Sequence, residues 1–254
     1  MNFTVIIPAR FQATRLPGKP LADLGGRPLL QWVHERALAS GAARVVIATD
    51  DARIEAAGRA FGAEVVLTST EHRSGTDRIA EAARQIGLAN DAVVVNVQGD
   101  EPLMPPALIR QVAGNLASRS AADMATLSQR IITLAELTNP NAVKVVTSRD
   151  GYALYFSRAL IPLPRDGMPE AEHLPEVSPG WQRHLGIYAY RVAFLRAFVQ
   201  WPPCPLENTE MLEQLRALWN GASVHVDEAR AAAPQGVDTP EDLARLRALI
   251  ATGV

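Results

Sequence analysis

Short apolar runs alternate with helical patterns through the first hundred residues, and this alternation constrains the fold more than any other feature of the chain. Strands are predicted at residues 3–7, 45–48, 65–67 and 93–95. Helices are predicted at about 52–61 and 77–86, after an earlier helix with Leu30, Val33 and Ala37 on one face. Central strands of a parallel sheet are covered on both faces and need not alternate polar with apolar residues. The N-terminal half is therefore predicted to be a doubly wound α/β unit.

Beyond residue 120 the predicted strands come closer together, with fewer helices between them. They lie at residues 124–127, 143–146, 152–156 and 185–190. Strands joined by short connections favour a mixed or antiparallel sheet, because a parallel pair needs a long crossover. No internal repeat and no linker marks a second domain, so residues 1–254 are predicted to form one domain.

The last third contains a proline-rich segment and two helical patterns. Residues 161–181 hold five prolines and no apolar period, which predicts a surface loop. Residues 240–250 predict a helix that begins after Thr239, with Asp242 at a capping position. Residues 207–219 predict one continuous helix that buries Met211, Leu212, Leu215 and Leu218.

Composition narrows the classes of function. The 25 basic and 27 acidic residues are scattered and the formal net charge is -2, so no basic stripe is predicted to bind nucleic acid. No apolar run reaches the roughly 18 residues of a membrane-spanning helix. The first residues lack a secretory-signal pattern, which predicts a cytoplasmic protein. Cys204, the single cysteine, has no internal partner for a disulfide.

The first candidate site is the basic stretch IPARFQATRLPGKP, which follows the first strand. Ligands of open parallel sheets bind beyond the carboxyl ends of the strands, so Arg10, Arg15 and Lys19 are placed to hold a triphosphate. The stretch is not a Walker A loop, because Ala13 stands at the first required glycine and Pro20 follows Lys19. A solvated surface loop remains the alternative interpretation.

Two acidic stretches form the second candidate. VVVNVQGDEP is a buried strand that ends at Asp100 and Glu101, and GVDTPED places Asp238 just before a helix. Mg²⁺ prefers oxygen ligands and commonly joins one or two carboxylates to substrate phosphates, so Asp100 and Asp238 are candidate metal ligands. Alone, Asp100 and Glu101 are also typical turn residues before Pro102, and Asp238 is typical of a cap.

Three further stretches carry polar side chains, each with an ordinary structural explanation. SGTDR, over residues 74–78, is typical of a helix start and also suits contacts to a base or phosphate. His184 lies on the predicted strand RHLGIYAYR, where a lone histidine is more often structural than functional. Glu207, Glu210 and Gln214 form a polar row on one predicted helix, as on a solvated helix face.

Eight stretches occur in a characteristic order: IPARFQATRLPGKPL, SGTDR, NVQGDEP, NPNAVKVV, ALYFSRALIP, RHLGIYAYR, ENTEMLEQLR and GVDTPEDL. Together they resemble the 3-deoxy-manno-octulosonate cytidylyltransferases, or CMP-Kdo synthetases, from residue 5 to about residue 243. Sialic acid cytidylyltransferases carry a different loop where this chain has RLPGKP. The resemblance implies a nucleotide-diphospho-sugar transferase-like three-layer sandwich with a mixed, mainly parallel sheet. It also implies a homodimer that acts in lipopolysaccharide synthesis.

The resemblance also implies a role for individual residues. The CTP triphosphate would contact Arg10, Arg15 and Lys19, and the cytidine would lie near Ala9, Ser74 and Gly75. Mg²⁺ would be held by Asp100 and Asp238. The acid sugar would be bound by Gln98, Arg78, Arg158, His184, Tyr188, Glu210 and Gln214.

The reaction implied is in-line attack of the anomeric hydroxyl of Kdo on the α-phosphorus of CTP, with pyrophosphate leaving. The catalytic set would be Arg10, Lys19, Asp100 and Asp238. Two alternatives stay open: a cytidylyltransferase for sialic acid or an amino-substituted Kdo, and a non-catalytic nucleotide-binding protein of the same fold.

Overall fold

The computed structural model describes residues 1–12, 16–165, 167, 174, 180–234 and 236–251. Its strands are β1 (Thr4–Ala9), β2 (Arg44–Thr49), β3 (Glu64–Leu67), β4 (Val93–Asn96), β5 (Met124–Arg130), β6 (Lys144–Thr147), β7 (Ala153–Ser157), β8 (Gln182–Arg191) and β9 (Val224–Glu228). Its helices are α1 (Leu29–Ala39), α2 (Ala52–Ala60), α3 (Gly75–Gln85), α4 (Pro106–Ser118), α5 (Leu134–Thr138), α6 (Val192–Phe198), α7 (Pro205–Glu210), α8 (Gln214–Trp219) and α9 (Pro240–Ala251). A 3-10 turn covers Lys19–Leu21.

The strands form one mixed sheet in the order β3-β2-β1-β4-β8-β5-β9, with β6 joined to β8 and β7 to β6. Strands β1 to β4 are parallel to one another. Strand β8 is antiparallel to both β4 and β5, and β9 is parallel to β5. The predicted α/β fold, with a parallel N-terminal half and an antiparallel section after it, is confirmed.

Helices cover both faces of the sheet, and β1 shows why. Val5 and Ile7 point into a core shared with α1, α4 and α9, whereas Ile6 points into a second core with α3, α6 and α8. All three side chains are fully buried. A strand that is covered on both faces has apolar side chains on both, which is why the sequence of β1 is a continuous apolar run.

The continuous helix predicted over residues 207–219 is wrong. The structure has two short helices, α7 and α8, and between them Met211 adopts a left-handed conformation (φ 52°) with 75% of its surface exposed. Leu212 and Leu215 are buried as predicted. At the end of α7, Arg158 Nε donates to the main-chain carbonyl of Glu210 at 2.7 Å, a contact from another part of the chain that satisfies a carbonyl left free by the break.

Four elements were not identified from the sequence: α4, α5, α6 and β9. Helix α4 carried a readable signal, because Leu108, Val112 and Leu116 recur at helical spacing and are fully buried. Strand β9 is short, and its pairing with the distant β5 defines it as a strand.

The predicted surface loop over residues 161–181 lies largely outside the described residues. Within the described part, Leu174 and Trp181 are buried in a small cluster with Ile131 and Leu137. The helix start predicted at Thr239 is confirmed, since Asp242 N–H donates to Thr239 Oγ1 and Asp242 Oδ2 accepts from Thr239 N–H. Across the described ranges, no helix is long and apolar enough to cross a membrane.

Candidate active site

A cavity of about 300 Å³ lies where β1 and β4 end side by side. Carboxyl ends of neighbouring parallel strands meet at one edge of a sheet, which is where ligands of such sheets bind. The side chains and main chain that line the cavity include Ala9, Arg10, Lys19, Gly75, Gln98 and Asp100. The structure therefore brings six of the residues predicted from the sequence into one place.

Lys19 joins the two predicted aspartates. Its Nζ donates to Asp100 Oδ2 at 2.7 Å, to Asp238 Oδ1 at 3.3 Å and to the carbonyl of Val237 at 2.9 Å. Val237 N–H in turn donates to the carbonyl of Asp100 at 2.9 Å, which holds the two acidic segments together. Two carboxylates from distant parts of the chain thus converge on a single cation.

Gly99 allows this close approach. A Cβ at this position would lie 2.9 Å from the carbonyl oxygen of Pro8, a backbone atom of β1. Because that distance is shorter than real Cβ contacts, any other residue would push the turn after β4 away from β1. Asp100 would move with the turn.

Glu101 adds a third carboxyl group beside the pair. Its Oε2 is buried and has no hydrogen-bond partner among the residues that the structure describes. Burial first, and then the charges of Asp100 and Asp238, raise the pKa of Glu101 to about 8. Near pH 7 Glu101 is therefore mostly protonated and neutral. Asp100 and Asp238 carry the negative charge, which exceeds the single charge of Lys19, and their oxygens suit a hard divalent cation.

In the described part of the chain, no group of three or more His, Cys, Asp or Glu side chains is arranged to hold a metal. Two carboxylates without a third ligand match the way Mg²⁺ usually binds, since it completes its shell with water and substrate phosphates. Asp100 and Asp238 fit such an ion.

The start of α3 forms another wall of the cavity. Ser74 caps the helix, because its Oγ accepts from Asp77 N–H and Asp77 Oδ2 accepts from Ser74 N–H, each at 3.1 Å. Gly75 lines the cavity. Arg10 is exposed and its Nη2 donates to the carbonyl of Arg73 at 3.0 Å, so it spans from β1 to the segment before α3. Arg15 lies outside the described residues.

Glu210 and Arg158, both predicted sugar contacts, are tied to each other. Glu210 Oε1 accepts from Ser157 Oγ at 2.6 Å, and Oε2 accepts from Arg158 N–H at 2.8 Å. The carboxylate is therefore held by the end of β7 rather than by its own helix. Its orientation depends on contacts across more than fifty residues.

His184 and Tyr188 lie on β8 and their rings contact each other, with centroids 5.3 Å apart. His184 Nε2 lies 3.0 Å from Thr126 Oγ1, and burial lowers the His184 pKa to about 3. Burial also raises the pKa of Tyr188 well above its ordinary value. Both groups are therefore neutral near pH 7.

A second cavity of about 600 Å³ is lined by His184 but not by Tyr188. Arg183 and Glu101 also line it. Glu101 follows Asp100, a residue of the first cavity, directly in the chain.

Five of the seven predicted sugar contacts are not among the residues that line either cavity: Arg78, Arg158, Tyr188, Glu210 and Gln214. Two of the five are buried. Arg78 is fully buried, and its Nη2 donates to Asp50 Oδ2 at 2.6 Å. Gln214 is 7% exposed and borders a void of about 10 Å³. In this conformation the side chains of Arg78 and Gln214 are both buried.

Three polar residues of the region were missed as site candidates. Gln12 lines the first cavity, and Glu101, which was considered with Asp100 at the end of the strand, was left out of the predicted site set. Lys144 is fully buried on β6, where Nζ donates to the carbonyl of Asn139 at 2.9 Å and burial lowers its pKa. The sequence did carry a signal for Lys144, because it stands among the apolar residues of NAVKVV and lysine is almost never fully buried without a partner.

Comparison with known proteins agrees with this geometry. A family model described as cytidylyltransferase matches residues 4–227. The chain is 58% identical over 251 residues to the 3-deoxy-manno-octulosonate cytidylyltransferase of Vibrio vulnificus strain CMCP6, covering 99% of each chain. It is 60% identical over 249 residues to that of Pseudomonas syringae pv. tomato, covering 98% of each.

A solved structure of CMP:2-keto-3-deoxy-manno-octonic acid synthetase complexed with CTP has a TM-score of 0.89 and 40% identity, and both chains are covered fully. The likeness confirms the predicted nucleotide-sugar transferase-like fold. By sequence and by structure, the chain belongs to the 3-deoxy-manno-octulosonate cytidylyltransferase family.

Proposed function

We propose that this protein transfers CMP from CTP to Kdo, releasing pyrophosphate and forming CMP-Kdo for lipopolysaccharide synthesis. The observation that carries the proposal is the meeting of Asp100 and Asp238 at Lys19, in a cavity at the carboxyl ends of β1 and β4. Relatives 58% and 60% identical over nearly the whole chain bear the name of this enzyme.

CTP would lie in the cavity of about 300 Å³, with its triphosphate against Arg10, Arg15 and Lys19. The cytidine would lie near Ala9, Ser74 and Gly75, at the start of α3. The N-terminal end of a helix attracts anions, and three cations in one stretch offset the charge of a triphosphate.

Mg²⁺ would be held by Asp100 and Asp238, whose oxygens suit it and already converge on one cation. Bound there, it would supply positive charge against the phosphate oxygens. Before the nucleotide binds, the Lys19 ammonium keeps the two carboxylates close together.

Kdo would occupy the cavity of about 600 Å³, which is lined by His184 and by Glu101, the residue after Asp100. Neutral His184 and Tyr188 can share hydrogen bonds with sugar hydroxyls without adding charge. Gln98, Glu210 and Arg158 are the other contacts we assign, while Arg78 and Gln214 would need to act through neighbours because they are buried here.

In the reaction, the anomeric oxygen of Kdo forms a bond to the α-phosphorus of CTP, and the bond from that phosphorus to the bridging oxygen of pyrophosphate breaks. The hydroxyl proton passes to solvent. Lys19 and Arg10 hold the phosphates in line and offset the charge of the leaving group. Positioning and electrostatic stabilisation supply most of the catalysis in such transfers.

The deciding experiment is a pyrophosphate-release assay with CTP, Kdo and magnesium, repeated with a chelator and with magnesium restored. Turnover that needs both substrates and is recovered by magnesium supports the proposal. A panel with sialic acid and an amino-substituted Kdo tests the alternative substrates. A higher rate with either sugar would mean that this sugar, and not Kdo, is the acceptor. Nucleotide binding without pyrophosphate release would favour the non-catalytic alternative.

We also propose a cytoplasmic homodimer, as the family resemblance implies. Light scattering on the purified protein tests the oligomeric state, and a monomeric mass would reject it.

A further inference from the structure

Phe11 closes the basic stretch that follows β1. Gly18 N–H donates to the carbonyl of Phe11 at 2.9 Å, so the chain returns to its starting point within seven residues. Arg10 directly precedes Phe11, and Lys19 directly follows Gly18. This one closure therefore sets the separation of the two cations that line the cavity.

The ring of Phe11 lies against Gly18. Gly18 has φ 71°, and a Cβ there would lie 3.1 Å from Phe11 Cζ. Glycine is needed both for the left-handed conformation and for the contact with the ring. The position of the Phe11 ring is thus linked to the backbone that leads into Lys19.

Arg53, at the start of α2, supports the same ring. Its guanidinium carbon lies 3.3 Å from the centroid of Phe11. Asp51, the N-cap of α2, holds the guanidinium in place, because its carboxylate accepts from Arg53 Nε at 3.0 Å and from Nη2 at 2.6 Å. The same carboxylate accepts from Arg53 N–H at 2.9 Å, so the side chain is anchored to a capped helix end.

We propose that Arg53 is a positioning residue for nucleotide binding: it holds the Phe11 ring, and through the Phe11–Gly18 closure it sets Arg10 and Lys19 for the triphosphate. The inference rests on the proposed function, because it takes CTP as the nucleotide. Arg53 lies outside the cavity, and 60% of its side-chain surface is exposed. Core packing therefore does not account for its placement.

Arg53→Ala is the first test, with Arg59→Ala as the matched control. Arg59 lies on the same helix, is 61% exposed and pairs with Glu55, but has no aromatic contact. Alanine preserves the helix at both positions. We expect Arg53→Ala to raise the dissociation constant and the KM for CTP about two- to fivefold, the range of an exposed cation–π contact. The KM for Kdo and the melting temperature should match those of Arg59→Ala.

Phe11→Leu, alone and combined with Arg53→Ala, is the second test. Leucine keeps an apolar side chain but removes the ring face, so the double variant should bind CTP no more weakly than the worse single variant. Equal CTP affinity in the Arg53 and Arg59 variants, additive losses in the double variant, or an equal rise in both KM values would overturn the proposal. Calorimetric titration with CTP alone gives this answer even if Kdo proves not to be the acceptor.

Discussion

In the parallel half of the sheet, predicted site residues follow directly after β1 and β4, and the strands themselves bring those residues together. In the mixed half, Glu210 is held by the end of β7, and His184 by Thr126 on β5. Neighbouring parallel strands end at one edge whatever the length of chain between them. The first arrangement is therefore a property of the fold, whereas the second depends on particular long-range contacts.

Under the proposed function, this difference gives the two halves different tasks. The parallel half concentrates charge, with Lys19 and Arg10 near Asp100, as a triphosphate and a metal require. The mixed half offers neutral or already paired groups, as the discrimination of a polyhydroxy acid requires. Substitutions in the two halves should consequently affect different kinetic constants.

The largest expected effect is on kcat, from Lys19→Ala and Asp100→Asn. Each removes one charge from the phosphate site, which should cost about 3 kcal/mol of barrier and lower kcat about a hundredfold. Pyrophosphate release measures the effect, and an unchanged melting temperature shows that the fold is kept. Asp91→Asn, at an exposed turn, is the control and should have the parent rate. Losses below tenfold would remove these residues from the catalytic set.

Glu210→Gln should separate the two substrates. Glutamine offers one acceptor oxygen, whereas the carboxylate uses one oxygen for Ser157 and the other for Arg158. We expect the KM for Kdo to rise about tenfold, or about 1.4 kcal/mol, with the KM for CTP nearly unchanged. Glu241→Gln, on the exposed side of α9, serves as the comparison. A parallel rise in both KM values would show that the two halves are not independent.

His184→Gln should change how stability depends on pH. Burial lowers the His184 pKa to about 3, so between about pH 3 and 6.5 the unfolded chain binds a proton that the folded chain does not. The free energy of unfolding therefore falls as the pH is lowered. Between pH 6.5 and 5.5 the loss due to this group is about 1 kcal/mol, and the variant should lack it. Urea unfolding at a series of pH values gives the pH dependence of the free energy of unfolding for the parent and the variant. The two should have the same slope above pH 7. The same slope below pH 6 as well would contradict a neutral His184 imidazole in the folded protein.

The smallest expected effect concerns the break between α7 and α8. Met211 is exposed and has φ 52°, a conformation that costs a non-glycine residue about 1 kcal/mol. Met211→Gly should therefore be more stable than Met211→Ala by about 0.5 kcal/mol, after the greater freedom of glycine in the unfolded chain is counted. Chemical unfolding compares the free energies of unfolding of the two variants. Both lack the Met211 thioether side chain, so its loss cancels in the difference. Greater stability of the alanine variant would mean that the left-handed turn is not intrinsic to this segment.

The parallel half was predictable because its signals are local. Short β-branched runs, helical spacing between them and the Ser74 cap each depend on neighbouring residues. The helix predicted over residues 207–219 failed for the opposite reason: its apolar spacing is helical, but at the break the carbonyl of Glu210 accepts from Arg158, in a distant part of the chain. Arg78, which the family resemblance assigns to the sugar, is paired with Asp50, a contact that one sequence does not reveal.

The sequence by itself determined the alternation of strands and helices in the first hundred residues, the α/β class and the chemical types available for a site. These follow from short-range patterns of apolar, small and charged residues. Only the tertiary structure decided that Asp238 meets Asp100 at Lys19, and that Glu101 Oε2 is buried with no hydrogen-bond partner in the described part of the chain. Such contacts depend on chain crossings between distant segments and on exclusion of water, and neither leaves a periodic signal in the sequence.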